Sequence, residues 1–412
     1  MSIMTGNKVV PKLRFREFKD SWNKHCLKSK IHSIDSGWSP QCEAFEASQE
    51  EWGVLKTSSV VLEGFNQNAN KKLPNNLEPK FNLQVVKGDI LVTRAGPINR
   101  VGIVAHVNKV RPKIMLSDKL IRLKVNNETS SLFTSISLSL NDIKKKLISK
   151  SSGLAVSQTN ISQKILLNTK LFFPSYSEQQ KIASFLSAVD EKIQQLTKKK
   201  EILEDYKKGV MQKIFSQEIR FKNDIGNSYP DWEEKKIGEL FEFKQGVQCA
   251  IEDQSLKNQK GLIRFIRIID LTKTDEPIRY IEDPGTTHYI TNDDLFMVRY
   301  GNVGLVGYGY EGVIANNLFR IIPKESKIIN NKFFYFLFRF KQRQLESLAS
   351  SSTMPALSFT SLKTLTLKLL SFEEQKKIAN FLSAIDNNIE SVSRQLKKTK
   401  EFKKGLLQQM FV

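Results

Sequence analysis

One segment of this 412-residue chain occurs twice. Glu178-Gln-Gln-Lys-Ile-Ala-Ser-Phe-Leu-Ser-Ala-Val-Asp190 returns as Glu374-Gln-Lys-Lys-Ile-Ala-Asn-Phe-Leu-Ser-Ala-Ile-Asp386, and the offset of 196 residues holds without a gap to Phe215 and Phe411. A duplication of this length dictates the plan of the chain: unit, helix, unit, helix. Fainter echoes extend it. Leu13-Arg14-Phe15 and Trp22 return as Ile219-Arg220-Phe221 and Trp232. Lys87-Gly-Asp-Ile-Leu91 with Arg94 returns as Asn292-Asp-Asp-Leu-Phe296 with Arg299, and Leu120-Ile-Arg-Leu123 as Leu318-Phe-Arg-Ile321. Ser151-Ser152 precedes one repeated segment and Ser351-Ser352 the other.

Each repeated segment reads as one helix of ~38 residues and ~57 Å. Val189, Ile193, Leu196, Lys200, Leu203, Lys207, Val210 and Ile214 alternate steps of four and three, as do Ile385, Ile389, Val392, Leu396, Thr399, Lys403, Leu406 and Met410. These are heptad seams with polar defects, and Tyr206 is placed to cover one lysine. Two imperfect seams of equal length suit each other better than solitary existence, although packing of each helix on its own unit is the plainer alternative. If the halves are related by a pseudo-two-fold, residue 412 returns to residues 10–15. The expected fold is therefore α+β: two β-rich domains separated by two long antiparallel helices in a coiled coil, in a near-circular arrangement. The expected boundaries are 1–174, 175–216, 217–370 and 371–412.

In the first unit, 89–93, 101–107 and 119–125 read as strands and 131–150 as a helix. In the second, 262–269, 295–298, 318–322 and 365–370 read as strands and 331–348 as a helix. The units differ from each other far more than the helices do, as expected of two readers on one frame.

Lys and Arg number 64 against 43 Asp and Glu, a net charge of +21, which points to a polyanion partner. A membrane is the poorer choice, because the richest apolar run, Phe333 to Phe338, is broken by Arg339. The opening lacks a secretion signal, and three scattered cysteines fit a reducing cytoplasm. Double-stranded DNA is the expected polyanion.

Catalytic motifs fail one by one. Gly307-Tyr-Gly-Tyr-Glu-Gly312 matches a dinucleotide pattern, but a strand follows where a helix N-terminus must receive the pyrophosphate. The expected role of these glycines is a tight hairpin able to approach a backbone. Pro230-Asp231 with Glu233 to Lys235 crowds into one turn the acids that a nuclease brings from separate strands. Gly-Lys and Pro-Pro pairs are absent, so neither a P-loop nor the usual amino-methyltransferase site is present. His25, Cys26, His32 and Cys42 lack zinc-site spacing. What remains is suited to recognition: Lys71, Lys72, Arg94, Asn99 and Arg100 in the first unit, and Arg264, Arg267, Arg299, Tyr300, Asn302 and Tyr308 in the second. Arginine can bond guanine bidentately and asparagine adenine, while lysine neutralises phosphate. Any one of these residues alone reads more simply as a solvated charge.

The sequence resembles the specificity subunits of type I restriction–modification systems. The resemblance rests on the duplicated helix openings 178–190 and 374–386, their ends Tyr206-Lys-Lys-Gly209 and Phe402-Lys-Lys-Gly405, Lys87-Gly-Asp-Ile-Leu91, and the Pro-x-Leu-Arg-Phe opening at 11–15. It departs at Asn292-Asp-Asp and at Lys200. The resemblance implies a non-catalytic subunit whose units each read half of a split DNA site. It also implies helices that set the half-site spacing and dock two methyltransferase subunits, with Ile182, Phe185, Leu186, Val189, Ile193, Leu196, Ile378, Phe381, Leu382, Ile385, Ile389 and Val392 as candidate docking and spacer positions. No cofactor is implied in this chain: S-adenosylmethionine belongs to the methyltransferase, ATP and magnesium to restriction subunits that join the complex. Cytoplasmic placement on the nucleoid follows. A coiled-coil DNA scaffold, or a remnant of a fused restriction–modification enzyme, are the alternatives.

Overall fold

A computed structural model describes residues 3–5, 8–152, 159–273, 275–349 and 355–412, so Ser351-Ser352 lie outside the described residues. The chain divides into two compact units, residues 1–196 with 395–412 and residues 197–394.

After a short N-terminal strand pair, Ile3–Thr5 with Lys8–Val10, the first unit contains β1 (Asn23–Cys26), β2 (Ile31–Ser36), β3 (Gly53–Leu55) and β4 (Asn70–Lys72). It continues with β5 (Ile90–Thr93), β6 (Val104–His106), β7 (Ile114–Met115), β8 (Leu120–Val125), α1 (Ser131–Ser139), α2 (Asn141–Ser149) and β9 (Lys170–Phe173). A four-stranded sheet has the order β6-β5-β8-β2, a second sheet β7-β3-β4, and β9 pairs with β1. The long helix α3 (Tyr176–Phe215) then leaves this unit and ends in the other.

The second unit repeats the plan with β10 (Glu233–Lys236), β11 (Phe241–Gln245), β12 (Leu262–Ile266), β13 (Arg279–Glu282) and β14 (Tyr289–Ile290). Next come β15 (Leu295–Val298), β16 (Val306–Gly307), β17 (Gly312–Ile314), β18 (Leu318–Pro323), α4 (Asn331–Phe340), α5 (Gln342–Ser347) and β19 (Thr366–Leu369). Its sheets run β11-β18-β15-β16 and β13-β12-β17-β14, and β10 pairs with β19. The order of the four-stranded sheet is the same in both units. Even the register agrees: Leu120 faces Thr93 as Leu318 faces Val298. The final helix, α6 (Phe372–Gln409), starts in the second unit and ends in the first.

Several sequence boundaries shift for local reasons. The expected helix 131–150 breaks at Leu140, whose backbone is extended at φ −60° and ψ 139°. The expected helix 331–348 breaks at Lys341. Strand 101–107 shortens to β6 because Gly102 turns the chain at φ +74°. Strand 262–269 stops at Ile266, where Arg267 opens a short helix at Ile268–Thr272. The glycines at 307–312 do not close a hairpin, because β16 and β17 belong to different sheets. Gly312 nonetheless makes a close backbone approach, since a Cβ there would lie 2.3 Å from the Arg264 carbonyl oxygen.

In the first unit the start of α3 meets the end of α6, and Leu186 and Val189 share a core with Leu406 and Met410. In the second, the end of α3 meets the start of α6, and Met211 and Ile214 pack with Ile378, Leu382 and Ile385. The helices are therefore antiparallel. Two of the three seam lysines are answered by acids on the opposite helix, whereas Lys200 pairs with Glu204 of its own helix at 3.6 Å. Lys403 bridges Asp190 at 2.5 Å in the first unit, and Lys207 bridges Asp386 at 2.5 Å in the second. These residues correspond under the repeat, so one bridge is built twice. Burial pushes the Lys207 ammonium down, and Asp386 opposes the shift. Tyr206, expected over a lysine of the seam, is 51% exposed. The return to the N-terminal segment is also present: Leu13 N–H donates to the Gln409 carbonyl at 2.9 Å, and Phe411 meets Trp22 edge-on.

The first two residues of the repeated motif tie each helix to its unit. Glu178, 1% exposed, accepts from both Arg14 Nε and a terminal nitrogen at 2.7 Å, and from Trp22 Nε1 at 3.3 Å. Glu374 does the same for Arg220 at 3.4 and 3.1 Å and for Trp232 at 3.0 Å. The next residue completes the N-terminus of the domain helix. Gln179 accepts from Ser130 N–H at 3.0 Å while the Ser130 side chain caps α1, and Gln375 accepts from Asn330 N–H at 2.8 Å while Asn330 caps α4. A buried carboxylate and amide with matched partners explain why this pair recurs unchanged.

Candidate nucleic-acid interface

A similar polar rim stands at the end of β5 in one unit and of β15 in the other. It begins with a glycine. Gly37 follows β2, and a Cβ there would sit 1.8 Å from the Leu116 carbonyl oxygen; Gly246 follows β11, at 2.2 Å from that of Ala315. No side chain fits, so these glycines let the edge strand pass directly onto the second sheet. Trp38 N–H then donates to Leu116, and Val247 N–H to Ile314.

Beside each crossing lies an arginine in the same backbone frame. Arg94 donates its N–H to Lys119 at 2.8 Å and accepts from Ile161 at 2.9 Å. Arg299 donates to Asn317 at 2.8 Å and accepts from Leu357 at 3.0 Å. The side chains around them differ. Arg94 Nε reaches Asn160 Oδ1 at 3.3 Å, Gln163 donates to Ser36 at 3.2 Å, and Ser39 donates to Asp118 at 2.5 Å. Arg299 donates to Gln245 Oε1 at 2.6 Å and lies over the Tyr300 and Phe359 rings, its Nε buried without a hydrogen-bond partner among the described residues. Gln245 in turn donates to the Asn316 carbonyl, and Asn316 Nδ2 to Gln248 at 3.1 Å. Guanidinium, amide, hydroxyl and carboxylate are the groups that read base edges.

The other sequence candidates have settings of their own. Asn99 and Arg100 are exposed on the turn Ile98–Arg100, and Asn302 is exposed after β15. Lys71 is exposed on β4, whereas Lys72 is held by Glu51 at 2.6 Å, which lowers that carboxyl to about 2. Arg264 lies over Tyr310, its Nε without a hydrogen-bond partner among the described residues. Arg267 is committed to Asp270 at two 3.1 Å bonds and to Glu276, so it organises a turn. Tyr308 donates to Asp293 at 2.9 Å and packs on Tyr335 of α4; burial first, then Asp293, pushes its phenol up to about 12.

The rim residues Gln245, Gln248, Asn316, Ser39, Asp118, Asn160 and Gln163 escaped the sequence reading. A glycine directly after the edge strand in both units, Gly37 and Gly246, was the signal available. The expected docking and spacer positions fall mostly in the packing of the helices on their own units. Ile182, Leu186, Val189, Leu196, Ile378, Leu382, Ile385 and Val392 are all 9% exposed or less inside the chain's own packing. Ile193 and Ile389 pack partly buried against the same cores, while Phe185 and Phe381 meet Phe15 and Phe221 edge-on. Phe185 remains 36% exposed. Among the described residues no cluster of His, Cys, Asp and Glu could hold a metal, and no helix is long and apolar enough to cross a membrane.

Residues 44–204 and 229–401 match the sequence profile of the type I restriction modification DNA specificity domain. The EcoEI specificity subunit of Escherichia coli is 41% identical over 37% of this chain, but the match spans only 26% of that protein's length. The putative MjaX specificity subunit of Methanocaldococcus jannaschii is 26% identical over 79% of this chain and 77% of its own. In fold, the crystal structure of a type I restriction–modification S subunit from M. genitalium matches with a TM-score of 0.65 at 18% identity, covering 98% of this chain and 99% of that one. The two profile matches take in most of the sequence, one on each recognition unit, and the chain belongs to the type I restriction–modification DNA specificity family.

Proposed function

We propose that this chain chooses the DNA sequence on which a type I restriction–modification complex acts, and catalyses neither methylation nor cleavage. Each recognition region (1–174 and 217–370) reads one half of a bipartite site through its rim, and the helical regions (175–216 and 371–412) set the half-site spacing. Two methyltransferase subunits supply S-adenosylmethionine chemistry to adenine, and restriction subunits supply ATP- and magnesium-dependent cleavage, in the cytoplasm. The observation that carries this reading is the rim itself. One backbone frame and one arginine are built twice, surrounded by different hydrogen-bonding side chains, which is what two different half-sites on a common scaffold require. Exposed basic side chains around it, with a net charge of +21, supply phosphate affinity that falls steeply with salt.

Methylation mapping tests the reading. Genomic DNA from cells expressing this chain with its methyltransferase should carry a split asymmetric motif that disappears without this chain. Arg299→Ala should cost about 1–3 kcal/mol at a position of one half-site and leave the other half-site intact. Methylation unchanged by loss of the chain would reduce it to a scaffold.

A further inference from the structure

The first unit holds a cavity that the reading of DNA does not use. It lies among α2, the strand pair β1-β9 and Phe411, and its volume of about 340 Å³ is that of a small-molecule site. One part of its lining is apolar: Trp22 and Leu171 are at most 3% exposed, and the Phe172 and Phe411 rings stand half-buried beside them. The other part is cationic, with Lys24 on β1, Lys146 on α2, Lys150 at its end and Lys170 on β9, all exposed. Lys24 lies 5.4 Å over the Phe172 ring, so cation and ring share one wall. No aspartate or glutamate lines the cavity, and among the described residues none of these four lysines forms an ion pair. Four ammonium groups around one small cavity repel one another, and a bound anion reverses that cost.

The cavity is no part of the duplicated frame. In the second unit Phe340 follows Phe333 as Leu140, in the cavity lining, follows Phe133, and the Phe340 ring packs at 4.9 Å on Phe215, the counterpart of Phe411. The charges change too. Glu234 stands after Trp232 where Lys24 stands after Trp22, and Thr366 opens β19 where Lys170 opens β9. A role in holding the helices would have kept these residues alike in both units.

We propose that this cavity binds a nucleoside phosphate, with the base against the Phe172 and Phe411 rings and the phosphates among the four lysines. Ring faces take a planar base whatever its identity, and lysine meets phosphate as a point charge. Asn168, exposed in the same lining, offers an amide to the sugar or the base edge. An inorganic anion would use the lysines and leave the rings wet, whereas an uncharged apolar ligand would leave the cations unanswered.

Calorimetric titration of the full chain with ATP tests this, with adenosine and inorganic tripolyphosphate titrated as its two halves. ATP should saturate a single site, and each half should bind at least tenfold more weakly. Lys146→Gln combined with Lys150→Gln should weaken ATP at least tenfold. So should Leu140→Phe, which installs the second unit's residue and leaves the charge unchanged. Lys257→Gln combined with Lys260→Gln removes two exposed lysines of the second unit and should leave the affinity as it was, which separates the cavity from the overall charge. No saturable ATP binding would overturn the proposal, as would tripolyphosphate binding as tightly as ATP, or affinity within twofold of wild type in the Lys146 and Lys150 variant. Should Leu140→Phe fail to fold, that lysine variant decides alone, because both side chains are exposed.

Discussion

Substituting Glu178→Gln and, separately, Glu374→Gln asks whether the duplicated carboxylate holds each helix to its unit, and the two sites should not respond alike. Glu178 is 1% exposed, and Arg14, 13% exposed, has a bidentate pair at 2.7 Å as its ion bridge. Neutralising the acid leaves a nearly buried guanidinium with one weak acceptor, a change that costs about 3–5 kcal/mol. Arg220 is 24% exposed, its bonds to Glu374 are longer at 3.4 and 3.1 Å, and it keeps Asp231 and the carbonyls of Tyr229 and Pro230. There the loss should be roughly 1–3 kcal/mol. At about 2–4 °C per kcal/mol for a unit of this size, the first unit should melt some ~6–20 °C lower and the second only ~2–12 °C lower. Scanning calorimetry with hydrogen exchange assigns each transition to its unit. Equal shifts, or a larger one for Glu374→Gln, would refute the argument from burial and geometry.

Removing residues 395–412 deletes Leu406 and Met410 from the first unit's core, at about 1.5–3 kcal/mol each; limited proteolysis should then cut the first unit while sparing the second. Gly37→Ala and Gly246→Ala force a Cβ onto a carbonyl oxygen 1.8 and 2.2 Å away, so each should destabilise its own unit by several kcal/mol, about as much as the severest single substitutions. A mild effect in urea titration would mean that the strand crossing is not rigid. Tyr308 has its phenol raised to about 12 by burial and Asp293, so it contributes stability that is present below the ordinary value near 10 and lost between there and about 12. Spectrophotometric titration should show a late tyrosine that vanishes in Tyr308→Phe.

The amino-acid sequence by itself determined the plan: two units and two long helices. Helical heptads and a gapless repeat are local in sequence, so Val189, Leu406 and their counterparts could be found by spacing alone. The sequence also exposed both rim arginines, through the echo between Arg94 and Arg299. Tertiary structure decided what those residues touch. Whether Lys207 was a defect or a bridge depended on Asp386, distant in sequence and supplied by the other helix. The rim amides Gln245, Gln248 and Asn316 come from segments with no shared pattern, brought together only because Gly246 lets one strand cross onto another sheet. Seam and surface were likewise inseparable in the sequence. An apolar residue on a helix is equally legible whether its partner is the same chain or a different one, and only packing assigns it to one of them.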